Sequence, residues 1–130
     1  MYRNSIRVRY GEVDMQRVVF YAHYLTYCDD TGDTWLRSLF SDFETLGWDI
    51  MLKKATVEWQ SGARLQERLD IDVAIARWGD TSFDIGVRGV VGDRAVFTAT
   101  LVYVGVRPGT LEPVAPPAVV RAKLGEARAQ

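Results

Sequence analysis

The stretch GEVDMQRVVFYAHYL, residues 11 to 25, places one carboxylate, Asp14, in a short loop and the chain's only histidine, His23, nine residues further on. After Asp14 the sequence turns aromatic and then takes on helical spacing. A helix start presents backbone N–H groups that have no partner inside the helix and can polarise a carbonyl. A neighbouring carboxylate can attack that carbonyl or activate water against it. Together the two make a minimal acyl-hydrolysis site. A thioester suits such a site better than an amide, because a thiol of pKa about 8.5 leaves readily and needs no strong general acid. The same aspartate also fits a solvated loop or a cap, the commonest fate of a residue so placed.

Other chemistries find less support. Cys28 is the single cysteine, which excludes an intramolecular disulfide and a Cys-rich metal site, and its place on an apolar helical stripe reads as core. No G-x-S-x-G elbow accompanies it. One histidine leaves no His–His ligand pair, and no Asp or Glu spacing replaces it, so neither metal nor resident cofactor is expected. Neither G-x-x-x-x-G-K-[ST] nor G-x-G-x-x-G occurs, which removes phosphate-cradling loops. The formal net charge of −1 argues against a nucleic-acid surface.

The elements that must hold Asp14 follow from periodicity. At 130 residues the chain fits one domain, residues 1 to 130, with roughly 116 to 130 as a C-terminal tail that forms a short helix or frays. Ile6, Val8 and Tyr10 alternate with Arg7 and Arg9, so residues 5 to 10 read as a strand. Leu25, Cys28, Gly32, Trp35 and Leu39 recur at helical steps while Asp29, Asp30 and Asp33 fill a charged face, which predicts a helix over 22 to 39. Gly32 in its middle suggests a close approach to another backbone. A short helix follows from Asp42 towards Gly47. Strand patterns then cover 50 to 60, 67 to 78, 82 to 91 and 94 to 106. The Gly-Asp turns WGDT and VGDR join the last three as an antiparallel meander. The order strand, helix, four strands is α+β, a curved antiparallel sheet around one long helix. Trp78, Ala74, Ala76 and Val90 fall on the face away from that helix, so this face and one edge are left uncovered, and association of copies is expected. No apolar run is long enough to cross a bilayer and nothing marks export, so a cytoplasmic location is expected.

RVRYGEVDMQRVVFYAHYLTYCDDTGDTWLR resembles the opening of hotdog-fold acyl-CoA thioesterases of the 4-hydroxybenzoyl-CoA thioesterase family, in which a strand ending in Tyr-x-x-x-Asp precedes a Val-Val-Tyr-x-x-x-Tyr-Leu helix start. VEWQSGARLQERLDIDVAIARWGDTSFDIGVRGV is similar to that family's central strands, and VRPGTLEPVAPPAVVRAKL to its closing segment. The resemblance implies a five-stranded hotdog fold that hydrolyses an acyl-CoA to free acid and coenzyme A, the latter being part of the substrate. An acyl carrier protein thioester or a non-catalytic acyl-CoA-binding module stand as alternatives. It makes Asp14 the catalytic carboxylate, as nucleophile through a mixed anhydride or as general base. Tyr10 becomes its neighbour, and the N–H groups from Val18 to Tyr21 face the carbonyl. His23 is a candidate site residue with capping or packing as its alternative, and Tyr24 is core or pocket wall. Because coenzyme A carries phosphates, Arg64, Arg77 and Arg88, with Thr81 and Ser82 at the turn, are candidates to meet it or else ordinary exposed strand charges. Trp59 and Trp78 are candidates to stack on adenine or to cover the sheet. Partners are the acyl-CoA and further copies of the chain, a homodimer or homotetramer with sites between subunits, without nucleic acid or membrane. Four departures stand out: Tyr21 where many members have histidine, His23 where they have asparagine, Arg17 where they have glycine, and Gly62 where they have proline.

Overall fold

The computed structural model describes residues 1–128. Five strands form one antiparallel sheet: β1 (Tyr2–Arg7), β2 (Asp49–Trp59), β3 (Arg68–Trp78), β4 (Ser82–Val91) and β5 (Arg94–Val106), in the order β1-β3-β4-β5-β2. The curved sheet wraps one long helix, α1 (Tyr21–Leu39), and this is the hotdog fold. The short α2 (Phe43–Leu46) is capped by Asp42, whose side chain accepts from the Glu44 N–H at 2.9 Å. It is stopped by Gly47 at φ 65°. The Gly-Asp turns close the β3-β4-β5 meander as their residues dictate.

Three sequence expectations are revised. The first strand runs over Tyr2–Arg7 and pairs with β3 from Tyr2↔Val73 to Arg7↔Arg68. Val8 still points into the core, but Tyr10 opens a 3-10 turn, Tyr10–Glu12, and is 81% exposed. Hydrogen bonds from the Arg9 N–H to Glu12 Oε1 (2.9 Å) and from the Glu12 N–H to the Arg9 carbonyl (3.0 Å) tighten that turn. The buried stripe of α1 is Tyr24, Tyr27, Cys28, Thr31, Gly32, Trp35 and Leu36, rotated from the expected one. Leu25 is left 39% exposed because the larger aromatics take the core side. Trp78 turns inward as well and packs, half-buried, against the core. A bulge between Ile75 and Arg77 flips the register, so that Trp78 faces Phe83 and its Nε1 donates to the Gly125 carbonyl at 2.9 Å.

The core is one aromatic-rich cluster between α1 and the sheet, and α3 (Ala118–Leu124) closes it at one end with Val120 and Leu124. Arg121 stacks on Trp78, and Lys123 covers Phe40. At Gly32 a Cβ would sit 3.6 Å from Ile85 Cδ1 and Tyr103 Oη, so α1 lies on the sheet at ordinary contact distance with room for a methyl group. At Gly89 a Cβ would be 2.1 Å from Phe97 Cε1, and the ring occupies the space a side chain would need.

Candidate active site

The segment that carries Asp14 is a tight hairpin. Val13 bridges Val19 antiparallel, the Asp14 N–H donates to the Val18 carbonyl at 3.0 Å, and the Phe20 N–H donates to the Glu12 carbonyl at 3.0 Å. The Arg17 N–H closes the turn on the Asp14 carbonyl at 3.0 Å. Arg17 takes φ 68°, so Met15, Gln16 and Arg17 make a three-residue loop ending in a left-handed bulge position. Glycine takes that conformation freely, whereas other residues pay about 1–2 kcal/mol. The glycine of the resemblance is thus replaced in side chain but kept in backbone.

The loop fixes the carboxylate. Asp14 Oδ1 accepts from the Gln16 N–H at 2.8 Å, and Oδ2 has no partner among the described residues. Two residues later in the same hairpin, Val18 presses on Gly62, where a Cβ would be 2.6 Å from Val18 Cγ1. Val19 donates to the Ala63 carbonyl at 2.9 Å. The Gly62–Ala63 backbone is held in turn by Arg94, which donates to the Gly62 carbonyl at 3.0 Å and to both Glu67 oxygens at 2.6 and 3.1 Å. The Arg94 bond holds the Glu67 carboxyl below its usual range against the opposing effect of burial.

Helix α1 begins directly after the hairpin, with Phe20 as an N-cap that offers no side-chain bond. Of the N–H groups expected to face a carbonyl, those of Val19 and Phe20 are spent on Ala63 and Glu12. Those of Val18, Tyr21 and Ala22 find no acceptor among the described residues and remain free to polarise a carbonyl. An exposed aromatic group flanks them: Phe20 stacks on Tyr21 (5.7 Å between centroids), and Tyr21 meets Trp59 at the end of β2 (5.6 Å). Tyr21 and Trp59 are 59% and 44% exposed.

Among the other expected site residues, Tyr10 sits in the 3-10 turn before Asp14, and Arg64 lies in the turn beside the Gly62–Ala63 segment. The Arg64 N–H donates there to Glu67 Oε1 at 2.7 Å. Tyr24 is buried and consumed by the core. Its Oη accepts from the Ala63 N–H at 3.1 Å, and burial raises its phenol above the ordinary value. Arg77, Thr81 and Ser82 lie elsewhere. Arg7 pairs with Arg68, so the start of β3 adjoins the hairpin, and the β3–β4 turn carrying these three is a strand's length, roughly 30 Å, away. There Arg77 donates to Asp84 Oδ1 at 2.9 Å and to Ser82 Oγ at 3.0 Å, while the Thr81 carbonyl accepts from the Gly105 N–H. Within one chain these residues support a turn and do not reach Asp14.

His23 faces a cleft of about 550 Å³ between β1 and α1, shared with Glu12, Thr26, Tyr27 and Asp30. Glu12 escaped the sequence reading, although Arg9-x-x-Glu12 has the spacing of a local cap. Burial works to raise its carboxyl, but hydrogen bonds from Arg9 outweigh this and hold it low. Glu12 anchors both the turn before Asp14 and, through its carbonyl, the N-cap of α1. Burial, with help from Asp29, pushes the Cys28 thiol up to about 12, so it is no nucleophile at neutral pH. Among the described residues no group of three or more His, Cys, Asp or Glu side chains is gathered for a metal ion, and no helix is long and apolar enough to cross a membrane.

Residues 8–124 match the family model of the Thioesterase-like superfamily, and the chain belongs to that superfamily. No curated protein matches the sequence significantly. Solved structures share the fold. A hypothetical protein from Aquifex aeolicus superposes with a TM-score of 0.86 at 21% identity, over 96% of this chain and 100% of that one. A 1,4-dihydroxy-2-naphthoyl-CoA thioesterase from Synechocystis gives 0.81 at 16% identity, over 95% and 94%. A probable thioesterase from Escherichia coli gives 0.82 at 18%, over 94% and 95%.

Proposed function

We propose that the protein is an acyl-CoA thioesterase of the 4-hydroxybenzoyl-CoA type, with Asp14 as its catalytic carboxylate. The observation that carries this reading is a carboxylate held through one oxygen in a rigid hairpin, with the other oxygen free, directly before a helix whose first N–H groups are unpaired. In hydrolysis the thioester carbonyl oxygen takes hydrogen bonds from the Val18, Tyr21 or Ala22 N–H groups, and negative charge develops there as the carbonyl carbon is attacked. As general base, Asp14 accepts a proton from the attacking water, the C–S bond breaks, and the thiolate is protonated. As nucleophile, Asp14 Oδ2 forms a mixed anhydride that water then opens. Both routes yield a carboxylic acid and coenzyme A and need no resident cofactor. Superfamily membership supports thioester cleavage, and the Synechocystis neighbour, named as acting on a CoA thioester, supports a CoA substrate.

The working unit in this reading is a homodimer or homotetramer. Strand β2 is an eleven-residue edge, exposed along most of its length, with Met51, Leu52 and Trp59 open to solvent, and an unpaired edge of this length is ordinarily covered. Pairing along β2 sets Trp59 and Tyr21 at the subunit boundary and offers a route by which a partner's β3–β4 turn approaches Asp14. Release of thiol from aromatic, short-chain and long-chain acyl-CoA tests the function, with an acyl carrier protein thioester as a further arm. Turnover of at least one acyl-CoA is expected. Saturable binding without turnover of any thioester would overturn the enzyme reading in favour of a binding module.

A further inference from the structure

Arg17 occupies the left-handed bulge position of the Asp14 hairpin, φ 68°, where a glycine would close the same turn without strain. The only other non-glycine residue with positive φ among the described residues is Gln66. A strained residue that the turn itself does not require points to a use for its side chain. That side chain is exposed, and it takes part in none of the ion pairs or side-chain hydrogen bonds among the described residues, Asp14 included.

Its reach is set by the turn. The Arg17 N–H to Asp14 carbonyl bond of 3.0 Å makes the two residues first and fourth of one turn, whose Cα atoms lie within about 7 Å. An arginine side chain is long enough to span that separation, so the guanidinium is within reach of the space next to the free oxygen of Asp14, where the acyl carbonyl of a bound thioester must lie. The phosphates of coenzyme A sit at the far end of the pantetheine arm, outside that space. An anion met there belongs to the acyl group, and a carboxylate fits the two-pronged donor face of arginine.

We propose that Arg17 is a specificity-determining residue that selects thioesters whose acyl group carries a second carboxylate, the class of ω-carboxyacyl thioesters. The inference rests on Asp14 being the carboxylate that cleaves the thioester. The experiment compares kcat/KM for two matched pairs, glutaryl-CoA with pentanoyl-CoA and adipyl-CoA with hexanoyl-CoA, in the wild type, Arg17→Gln and Arg17→Lys. Glutamine is the informative replacement because this chain already holds Gln66 at φ 70°. The wild type should favour the carboxylated member of at least one pair. Arg17→Gln should lower the carboxylated-to-neutral ratio by about tenfold or more, and Arg17→Lys should retain part of the preference. A ratio unchanged by Arg17→Gln, or an equal loss on both members, would overturn the inference while leaving Asp14 in place. If the wild type cleaves none of the four, the proposed function is judged by the wider acyl-CoA panel and the preference is read by binding. Calorimetric binding of a non-cleavable adipyl thioether of coenzyme A then decides the role of Arg17: tenfold weaker binding by Arg17→Gln supports it, and equal binding refutes it.

Discussion

At the scale of single residues, Asp14 and Arg17 share one hairpin, and with the roles proposed for them their variants should part company. Arg17→Gly relieves a left-handed arginine and should raise the unfolding free energy by about 1 kcal/mol, read from chemical denaturation. An unchanged or lowered value would mean that the side chain stabilises the loop. His23 faces the Glu12 cleft and lies edge-on to Phe20, while Tyr21 stands beside the free N–H groups. Exchanging the pair, Tyr21→His with His23→Asn, should therefore change kcat chiefly through position 21. A single His23→Asn variant that loses as much as the double would contradict that division. The place of Asp14 in a loop just before a helix start was legible in the sequence, because loop composition and helical spacing act locally. The spent N–H groups of Val19 and Phe20 were not, because they depend on Ala63 and Glu12, which only the fold brings to the hairpin.

At the scale of elements, two glycines make opposite predictions. Gly32 has space for a methyl group at 3.6 Å from its neighbours, so Gly32→Ala should stabilise α1 by up to about 1 kcal/mol. Gly62 has none, because Val18 stands 2.6 Å from the position of a Cβ, and Gly62→Ala should cost about 1–3 kcal/mol and disturb the Asp14 hairpin as well. Thermal unfolding of the two variants checks both signs. The meander, α1 and the Asp42 cap were legible because Gly-Asp turns, helical spacing and a capping aspartate act locally. The inward turn of Trp78 was not, since the bulge at Ala76 inserts one residue without any compositional mark. Which end of the sheet Arg77, Thr81 and Ser82 occupy within one chain was not legible either. That depends on β1 pairing with β3, a non-local choice.

At the scale of the whole molecule, carboxylates paired with arginine tie the sheet's edge and the hairpin's support together. Glu67 is held low by Arg94, Asp72 by Arg3, and Asp70 by Ser5, with Arg68 and Arg3 adding to the effect. A carboxylate with a depressed folded pKa contributes stability that is complete above its unfolded value, near 4, and is lost as pH falls through the lower folded value. Stability should thus hold from neutral pH to about 5 and decline below about 4. Glu67→Gln should flatten that decline and cost about 1–2 kcal/mol at neutral pH. In sedimentation the protein should run as a dimer or tetramer, since β2 leaves an edge that a monomer would expose. The most direct test of the central claim is kcat/KM for a cleaved acyl-CoA in the wild type and in Asp14→Asn, with far-UV circular dichroism and thermal unfolding to establish that both are folded. A loss of about a hundredfold or more, carried by kcat, is the expected result. A folded Asp14→Asn that turns over at the wild-type rate would contradict it.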